Sequence, residues 1–316
     1  MIHWLKTVLA ACAMTGFLAA CGGGDDDPPP APTIAALAQQ QNLTALLAAA
    51  NKAGLSATLA NTSVSLTVFA PTNAAFNTLA TQLGFADATA MVTALSPTAL
   101  ANILNYHVLP TRQTAAQLST GAATRATAYT FDGSPATLAV STTGGVRLTD
   151  AVLTQATVTT ADVAASNGIV HVVNKVLVPP GVLNVVQMAQ ANPDFSTLVD
   201  AVVDANLATT LSGAGPFTVF APTNQAFADI ASTVAGLTPT QLSTVLTYHV
   251  LGSQVLSTQI PFGTPVATVS GQSITIQNTP LRIVDTTATP APIAATDIRA
   301  SNGVIHVISK VLIPTL

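Results

Sequence analysis

Three phrases of this sequence recur in the same order. Thr67-Val68-Phe69-Ala70-Pro71-Thr72-Asn73-Ala74-Ala75-Phe76 returns as Thr218-Val219-Phe220-Ala221-Pro222-Thr223-Asn224-Gln225-Ala226-Phe227. Tyr106-His107-Val108-Leu109 returns as Tyr248-His249-Val250-Leu251, and Ser166-Asn167-Gly168-Ile169-Val170-His171-Val172 as Ser301-Asn302-Gly303-Val304-Ile305-His306-Val307. Phrases this far apart, repeated in order, mark the duplication of a whole domain and not a short-period solenoid. The chain divides into domains over 33–180 and 181–316, each long enough to bury about two thirds of its unfolded surface. Function must therefore lie in something one such domain does, or two do together.

The residues ahead of the repeats read as targeting. Lys6 is followed by an apolar run from Thr7 to Ala20, too short for a mature membrane span and fitting a secretory signal over 1–20. Leu18-Ala19-Ala20-Cys21 resembles the lipobox of bacterial lipoproteins, in which the Cys becomes the lipidated first residue; an ordinary signal with an incidental Cys is the plainer alternative. Acyl burial contributes about 0.8 kcal/mol per methylene, and two or more chains anchor stably without spanning. Gly22-Gly23-Gly24-Asp25-Asp26-Asp27-Pro28-Pro29-Pro30-Ala31-Pro32 completes a tether over 21–32, reaching roughly 30–40 Å at about 3.1 Å per residue. By analogy with enteric lipoproteins, Asp after the lipidated Cys would mean inner-membrane retention. Gly22 stands there, so the outer membrane or cell surface of a bacterium is expected, with a periplasm-facing position as the alternative.

Composition excludes several function classes. The other Cys, Cys12, falls in the signal, so the folded part can form neither disulfides nor thiolate metal sites. Eight basic residues remain after the signal, scattered against 13 acidic ones, all Asp. Nucleic-acid binding needs a basic stripe to neutralise phosphates, and none is present. The surface is expected to be neutral and hydroxyl-rich, with weak repulsion between molecules, which favours adhesion and self-association.

Each repeat shows the same succession of elements. Ile34, Leu37, Leu43, Leu46, Leu47 and Ala50 recur at helical steps, as do Val185, Val186, Ala189, Leu198, Val199 and Val202 in the second copy. Thr67 to Ala70 reads as a short buried strand ended by Pro71, with Thr72 or Asn73 capping the next helix. Ser96-Pro97 and Thr238-Pro239 start the helix that runs into Tyr-His. Alternating strands follow, Gly144-Gly145 turning one pair, and Asn167-Gly168 and Asn302-Gly303 read as hairpin turns whose central residues need positive φ. Final strands are expected over Ile169–Val178 and Val304–Ile313. From the Phe to the Tyr-His motif, the first copy carries nine more residues than the second, around Leu83 to Val92, an expected surface loop.

These phrases together carry a family resemblance. A strand ending Phe69-Ala70-Pro71-Thr72-Asn73 (Phe220, Pro222, Thr223, Asn224 in the second copy), Tyr106-His107 and Tyr248-His249, and Asn167-Gly168…His171 and Asn302-Gly303…His306 resemble the fasciclin domain, in two copies over about nine tenths of the chain. The resemblance implies an α+β fold, each domain a bent β-sandwich with helices packed on one side. It also implies a role in adhesion on cell surfaces and extracellular matrix, and in animal members the Tyr-His region is implicated in integrin contact. One departure stands out: three positions after the last His, members commonly carry Asp, whereas here Asn174 and Ser309 stand.

The four histidines of the folded part, His107, His171, His249 and His306, all lie in the motifs. As metal ligands they are too few, because structural zinc wants four protein ligands and catalytic zinc three. Only Asp162 and Asp297, at matching places, could add to them. Their residues point instead to buried, hydrogen-bonded histidines, with Thr72 and Asn73 as available partners. No nucleophile elbow, phosphate loop or acid pair is present. The expected protein is a non-enzymatic adhesion module with no cofactor and no metal, anchored by lipid, binding a protein or glycan surface or its own kind and no nucleic acid. The alternatives are a periplasmic module holding a small apolar or glycan ligand between the domains, or a hydrolase using His with Ser or Asp.

Overall fold

The computed structural model describes residues 31–316. The expected signal over 1–20, the anchor Cys21 and the tether as far as Pro30 lie outside the described residues. Pro32 already belongs to the fold, because its carbonyl accepts the Ser166 N–H at 2.9 Å. Among the described residues, no helix is long and apolar enough to cross a membrane.

Each domain opens with short helices, Ile34–Gln40, Thr44–Lys52 and Ser56–Ala60 in the first, Val185–Gln190, Ser196–Asp204 and Ala208–Ser212 in the second. Strands β1 (Leu66–Pro71), β2 (Val108–Leu109), β3 (Thr124–Phe131), β4 (Ser134–Ser141), β5 (Arg147–Thr149), β6 (Gln155–Ala165) and β7 (Gly168–Val173) form one sheet in the order β2-β1-β7-β6-β5-β4-β3. The second copy repeats it with β8 (Phe217–Pro222), β9 (Val250–Leu251), β10 (Pro265–Ala267), β11 (Ser273–Gln277), β12 (Arg282–Val284), β13 (Ala291–Ala300) and β14 (Gly303–Ile308), ordered β10-β11-β12-β13-β14-β8-β9. The neighbours are antiparallel except β1 with β7 and β8 with β14, which run parallel.

Those parallel pairs join distant parts of the repeat. Phe69 sits in register with His171 and Phe220 with His306, so the first and third phrases meet across the centre of each sheet. β6 and β13 each carry two register shifts. Bulges bend a strand and increase its twist, and here they fold the sheet over itself into a bent sandwich. Its interior holds Phe69, Tyr106, Leu138 and Leu148 in the first domain and Phe220, Tyr248, Ile276 and Ile283 in the second. The helices pack on the other face, over an apolar core continuous through both domains.

Several local expectations are corrected. β3 escapes an alternation search because its inward set includes Arg125 and Thr127, polar residues buried beside Tyr129. The nine extra residues do not form an exposed loop. The helix Ala88–Ala94 begins among them, capped by Asp87, and buries Met91 at 1% exposure. The hairpin loops are not Asn-Gly turns of positive φ, since Ala165 pairs with Gly168 and the loop is Ser166-Asn167, neither of positive φ. Gly168 and Gly303 are needed for another reason: a Cβ there would lie 2.2 Å from the carbonyl oxygens of Leu66 and Phe217. The final strands also stop early, at Val173 and Ile308.

The joint between the domains is short and bonded on both sides. Gly181, at φ +73°, donates its N–H to the Arg299 carbonyl at 2.9 Å, and a Cβ there would meet the Phe131 ring at 2.1 Å. The Tyr129 hydroxyl donates to the Pro180 carbonyl at 3.0 Å. The Arg299 guanidinium lies over the Phe131 ring, 5.1 Å from its centroid, and pairs with Asp132 at 2.9 Å. The buried Asn192 side chain donates to the Val152 carbonyl at 2.9 Å.

Candidate functional site

The first phrase is a clamp. Thr72 and Thr223 cap the helices Asn73–Gln82 and Asn224–Ala228, accepting N–H bonds from Ala75 and Ala226. Asn73 is not the cap. Its side chain reaches back to the opening helices, accepting from Ala45 N–H at 3.0 Å and donating to the Asn42 carbonyl at 2.9 Å. Asn224 does the same with Thr197 N–H and the Pro193 carbonyl, both at 2.9 Å. Pro71 and Pro222 end β1 and β8.

The Tyr-His pairs close the helices Pro97–Tyr106 and Pro239–Tyr248. Tyr106 and Tyr248 point into the sandwich and donate to the carbonyls of Thr137 at 2.9 Å and Ser273 at 3.0 Å. Burial pushes both phenols upward in pKa. The rings are core, at no more than 1% exposure.

His107 and His249 do not use Thr72 or Asn73, or their copies, as partners. Nδ1 of His107 donates to the Ile103 carbonyl one turn earlier at 2.7 Å, and Nε2 accepts the Leu177 N–H at 2.8 Å. Nδ1 of His249 likewise donates to Val245 at 2.7 Å, and its Nε2 accepts from Leu312 at 2.8 Å. A backbone N–H can only donate, so Nε2 must be unprotonated and the proton sits on Nδ1. Beyond the ends of the last strands, Leu177 and Leu312 thus turn their N–H groups to the rings and not to a ladder. Burial pushes both imidazoles down to about 4. Apolar surroundings reinforce it: His107 borders a cavity of about 100 Å³ beside Leu46 and Leu104.

His171 and His306 form a second pair of locks. Each stacks on the motif Phe, His171 on Phe69 and His306 on Phe220, with ring centroids 5.6 Å apart. Nε2 of His171 bonds the Gln113 carbonyl at 3.0 Å and that of His306 the Val255 carbonyl at 2.9 Å. Nδ1 accepts the backbone N–H of Asp162 at 3.2 Å and of Asp297 at 3.3 Å. Burial lowers the pKa of His306.

Asp162 and Asp297 stand beside these rings, but their carboxylates face elsewhere. Asp162 accepts the Ala115 N–H at 2.8 Å, and Asp297 accepts both the N–H and the hydroxyl of Ser257. Ser257, Asp297 and His306 are thus neighbours wired in the wrong order for a hydrolase. The Ser hydroxyl is given to the Asp carboxylate, and the imidazole meets a backbone amide and a carbonyl. A catalytic triad needs the imidazole on the hydroxyl and the carboxylate on the imidazole. Among the described residues, no three His, Cys, Asp or Glu side chains gather as a metal site.

Asn167 and Asn302 staple the start of each domain to its end. Asn167 accepts the Ile34 N–H at 2.9 Å and donates to the Leu59 and Asn61 carbonyls. Asn302 accepts from Val185 at 2.9 Å and donates to the Leu211 and Gly213 carbonyls.

One duplicated pair escaped the sequence reading. Asp150, its side chain fully buried, bonds Lys175 at 2.6 Å and accepts from the N–H groups of Val152, Thr154 and Val178 and the Thr154 hydroxyl. Asp285 and Lys310 repeat the pair at 2.9 Å, with Thr287 and Ile313 as donors. Burial raises the Asp285 pKa, but these bonds outweigh it and hold the carboxyl below its usual value. The signal was available, because Lys175 and Lys310 each follow the motif His by four residues in a chain poor in Lys.

A family model agrees with this duplicated architecture. The sequence model of the fasciclin domain matches residues 41–179 and again 193–314. Protein sll1483 of Synechocystis sp. is 41% identical over 139 residues, 42% of this chain and 75% of that one. The cell surface glycolipoprotein MPB83 of Mycobacterium bovis is 32% identical over 138 residues, 40% of this chain and 58% of that protein. Among solved structures, the FAS1 domain pair of the insect cell adhesion molecule Fasciclin I aligns over 88% of this chain and 97% of that one, at 18% identity and a TM-score of 0.42.

Proposed function

Because this chain belongs to the fasciclin domain family, we propose that it is a non-enzymatic adhesion module, carried by lipid on Cys21 and displayed on a bacterial surface through a Gly/Asp/Pro tether. One observation carries the non-enzymatic part. The Tyr and Asn side chains of the repeated phrases are bonded within the fold, and so are both ring nitrogens of the four described histidines. What remains to meet a partner is a neutral surface of hydroxyls and amides, suited to binding and to self-association. The lipid anchor rests on the Leu18-Ala19-Ala20-Cys21 sequence, and the description of MPB83 as a cell surface glycolipoprotein agrees with it.

A deletion strain tested for attachment and biofilm, complemented with the wild type and with Cys21→Ser, tests this function. Loss of attachment on deletion, restored by the wild type and not by Cys21→Ser, is expected; unchanged attachment on deletion counts against adhesion. The second reading, a periplasmic binding module, is favoured by a groove of about 470 Å³ between the two domains. Protease added to intact cells separates the two, since protected domains would place the protein inside the outer membrane.

A further inference from the structure

The groove between the domains has a composition that the motifs do not explain. Its first wall is the outer face of the helix Asn73–Gln82 with the loop before β6, and its second is the segment Asn192–Asp194 of the other domain. The Asn192 bond to the Val152 carbonyl fixes the two walls together.

The chemistry of its lining selects a ligand class. The side-chain amides of Gln82 and Gln155, the Asn174 Nδ2 group and the Asp194 carboxylate border it, and none of these groups bonds another side chain or backbone group among the described residues. An amide offers a donor and an acceptor side by side, which suits adjacent hydroxyls of a sugar ring. The nearby cation is Lys175, already neutralised by Asp150 at 2.6 Å, so among the described residues the groove has no free positive charge for a phosphate or carboxylate. Leu79 and Val176 supply an apolar floor for the C–H face of such a ring. At its rim stands Leu153, 48% exposed and held at φ +64°. A bulky residue in that region is strained, and such strain concentrates at binding sites. The volume also falls in the range of small-ligand sites, about 300–1,000 Å³.

The polar positions are also where the repeats part. Leu153, Gln155 and Asn174 correspond to Ala288, Pro290 and Ser309 in the second copy, whereas Asp150 and Lys175 recur as Asp285 and Lys310. The scaffold is shared, and these three lining positions are not. We infer that the interdomain groove binds a neutral oligosaccharide, held by Gln82, Gln155, Asn174 and Asp194 against an aliphatic floor. This rests on the groove that favours the binding-module reading, and it names a ligand class that an adhesion module displaying the same groove would share.

Saturation-transfer NMR on the purified protein with maltotriose, cellotriose and N,N′-diacetylchitobiose tests the assignment. Transfer to ring protons of at least one sugar is expected. Gln155→Ala and Asn174→Ala should each weaken that binding by about tenfold, while Ser309→Ala, at the matching place in the second domain, should leave it unchanged. These side chains are exposed, and an unchanged melting temperature will show that the variants are folded. No transfer from any of the three sugars overturns the inference, as does binding that both groove variants leave intact. Attachment lost on deletion with no sugar bound would refute the groove and leave adhesion standing; sugar bound with attachment unaffected by deletion would do the reverse.

Discussion

Leu177 donates its backbone N–H to Nε2 of His107 at 2.8 Å, and Leu312 repeats the bond to His249 at the same distance. In each domain this joins the end of the Tyr-His helix to the segment that leaves the last strand, the partners being 70 and 63 positions apart in sequence. The rest of the ring is satisfied by the helix itself, so a single side chain links two elements that no ladder joins.

Replacing His249 by Leu leaves the Leu312 N–H buried without a partner. An orphaned buried donor costs about 1–3 kcal/mol, which should lower the melting temperature by roughly 5–15 °C. Calorimetry on H249L checks it; an unchanged transition would mean that the imidazole is not a structural tie.

Acid should weaken both domains through these same rings. His107 and His249 titrate near 6.5 when unfolded but are held down to about 4 in the fold. Between those values the unfolded chain binds more protons than the folded one, so stability is complete above pH 6.5 and declines as pH falls toward 4. The loss approaches roughly 3 kcal/mol per ring at pH 4. Imidazole resonances followed by NMR provide the check, and titration of either ring near 6.5 would contradict the burial.

The Asp150–Lys175 pair should matter more through the carboxylate than through the ammonium. Asp150→Ala strands the N–H groups of Val152, Thr154 and Val178 in the interior, and breaking such a buried network costs about 3–5 kcal/mol. Lys175→Met, whose stem keeps its packing, should cost less. Urea unfolding of the two variants ranks them, and the opposite order would show that the ion pair dominates.

Two glycines separate close approach from backbone conformation. Gly168→Ala places a Cβ against the Leu66 carbonyl at 2.2 Å, in the parallel ladder itself. Gly84 has φ +82° with open space around it, so Gly84→Ala should cost only about 1 kcal/mol of local strain. Gly168→Ala should destabilise by several times that, and equal melting temperatures would refute the distinction.

The domain joint is expected to loosen when its buried amide is removed. Asn192→Ala deletes the bond to Val152 and should increase the radius of gyration in small-angle scattering, with Arg299→Ala adding to the effect by freeing Phe131 and Asp132. Scattering curves identical to the wild type would show that the apolar core alone fixes the orientation.

The sequence by itself determined the duplication, the family resemblance, the capped helices and the inward role of the histidines, because those features are local. A cap, a helical period or a Pro at a helix start involves residues only a few positions apart. Tertiary structure alone decided who bonds whom. That His107 meets Leu177 and not Thr72, that Gly168 is required by the Leu66 carbonyl and not by a turn, and that Asp150 collects Lys175 and Val178 all depend on strands brought together from far along the chain. β3 stayed hidden for a different reason: Arg125 and Thr127 face inward because the carbonyls of Leu118 and Ala136, seven and nine positions away, receive them, which breaks the apolar alternation. The groove is the extreme case: its walls belong to different copies, and no period or motif within one copy can reveal a surface that exists only where two of them meet.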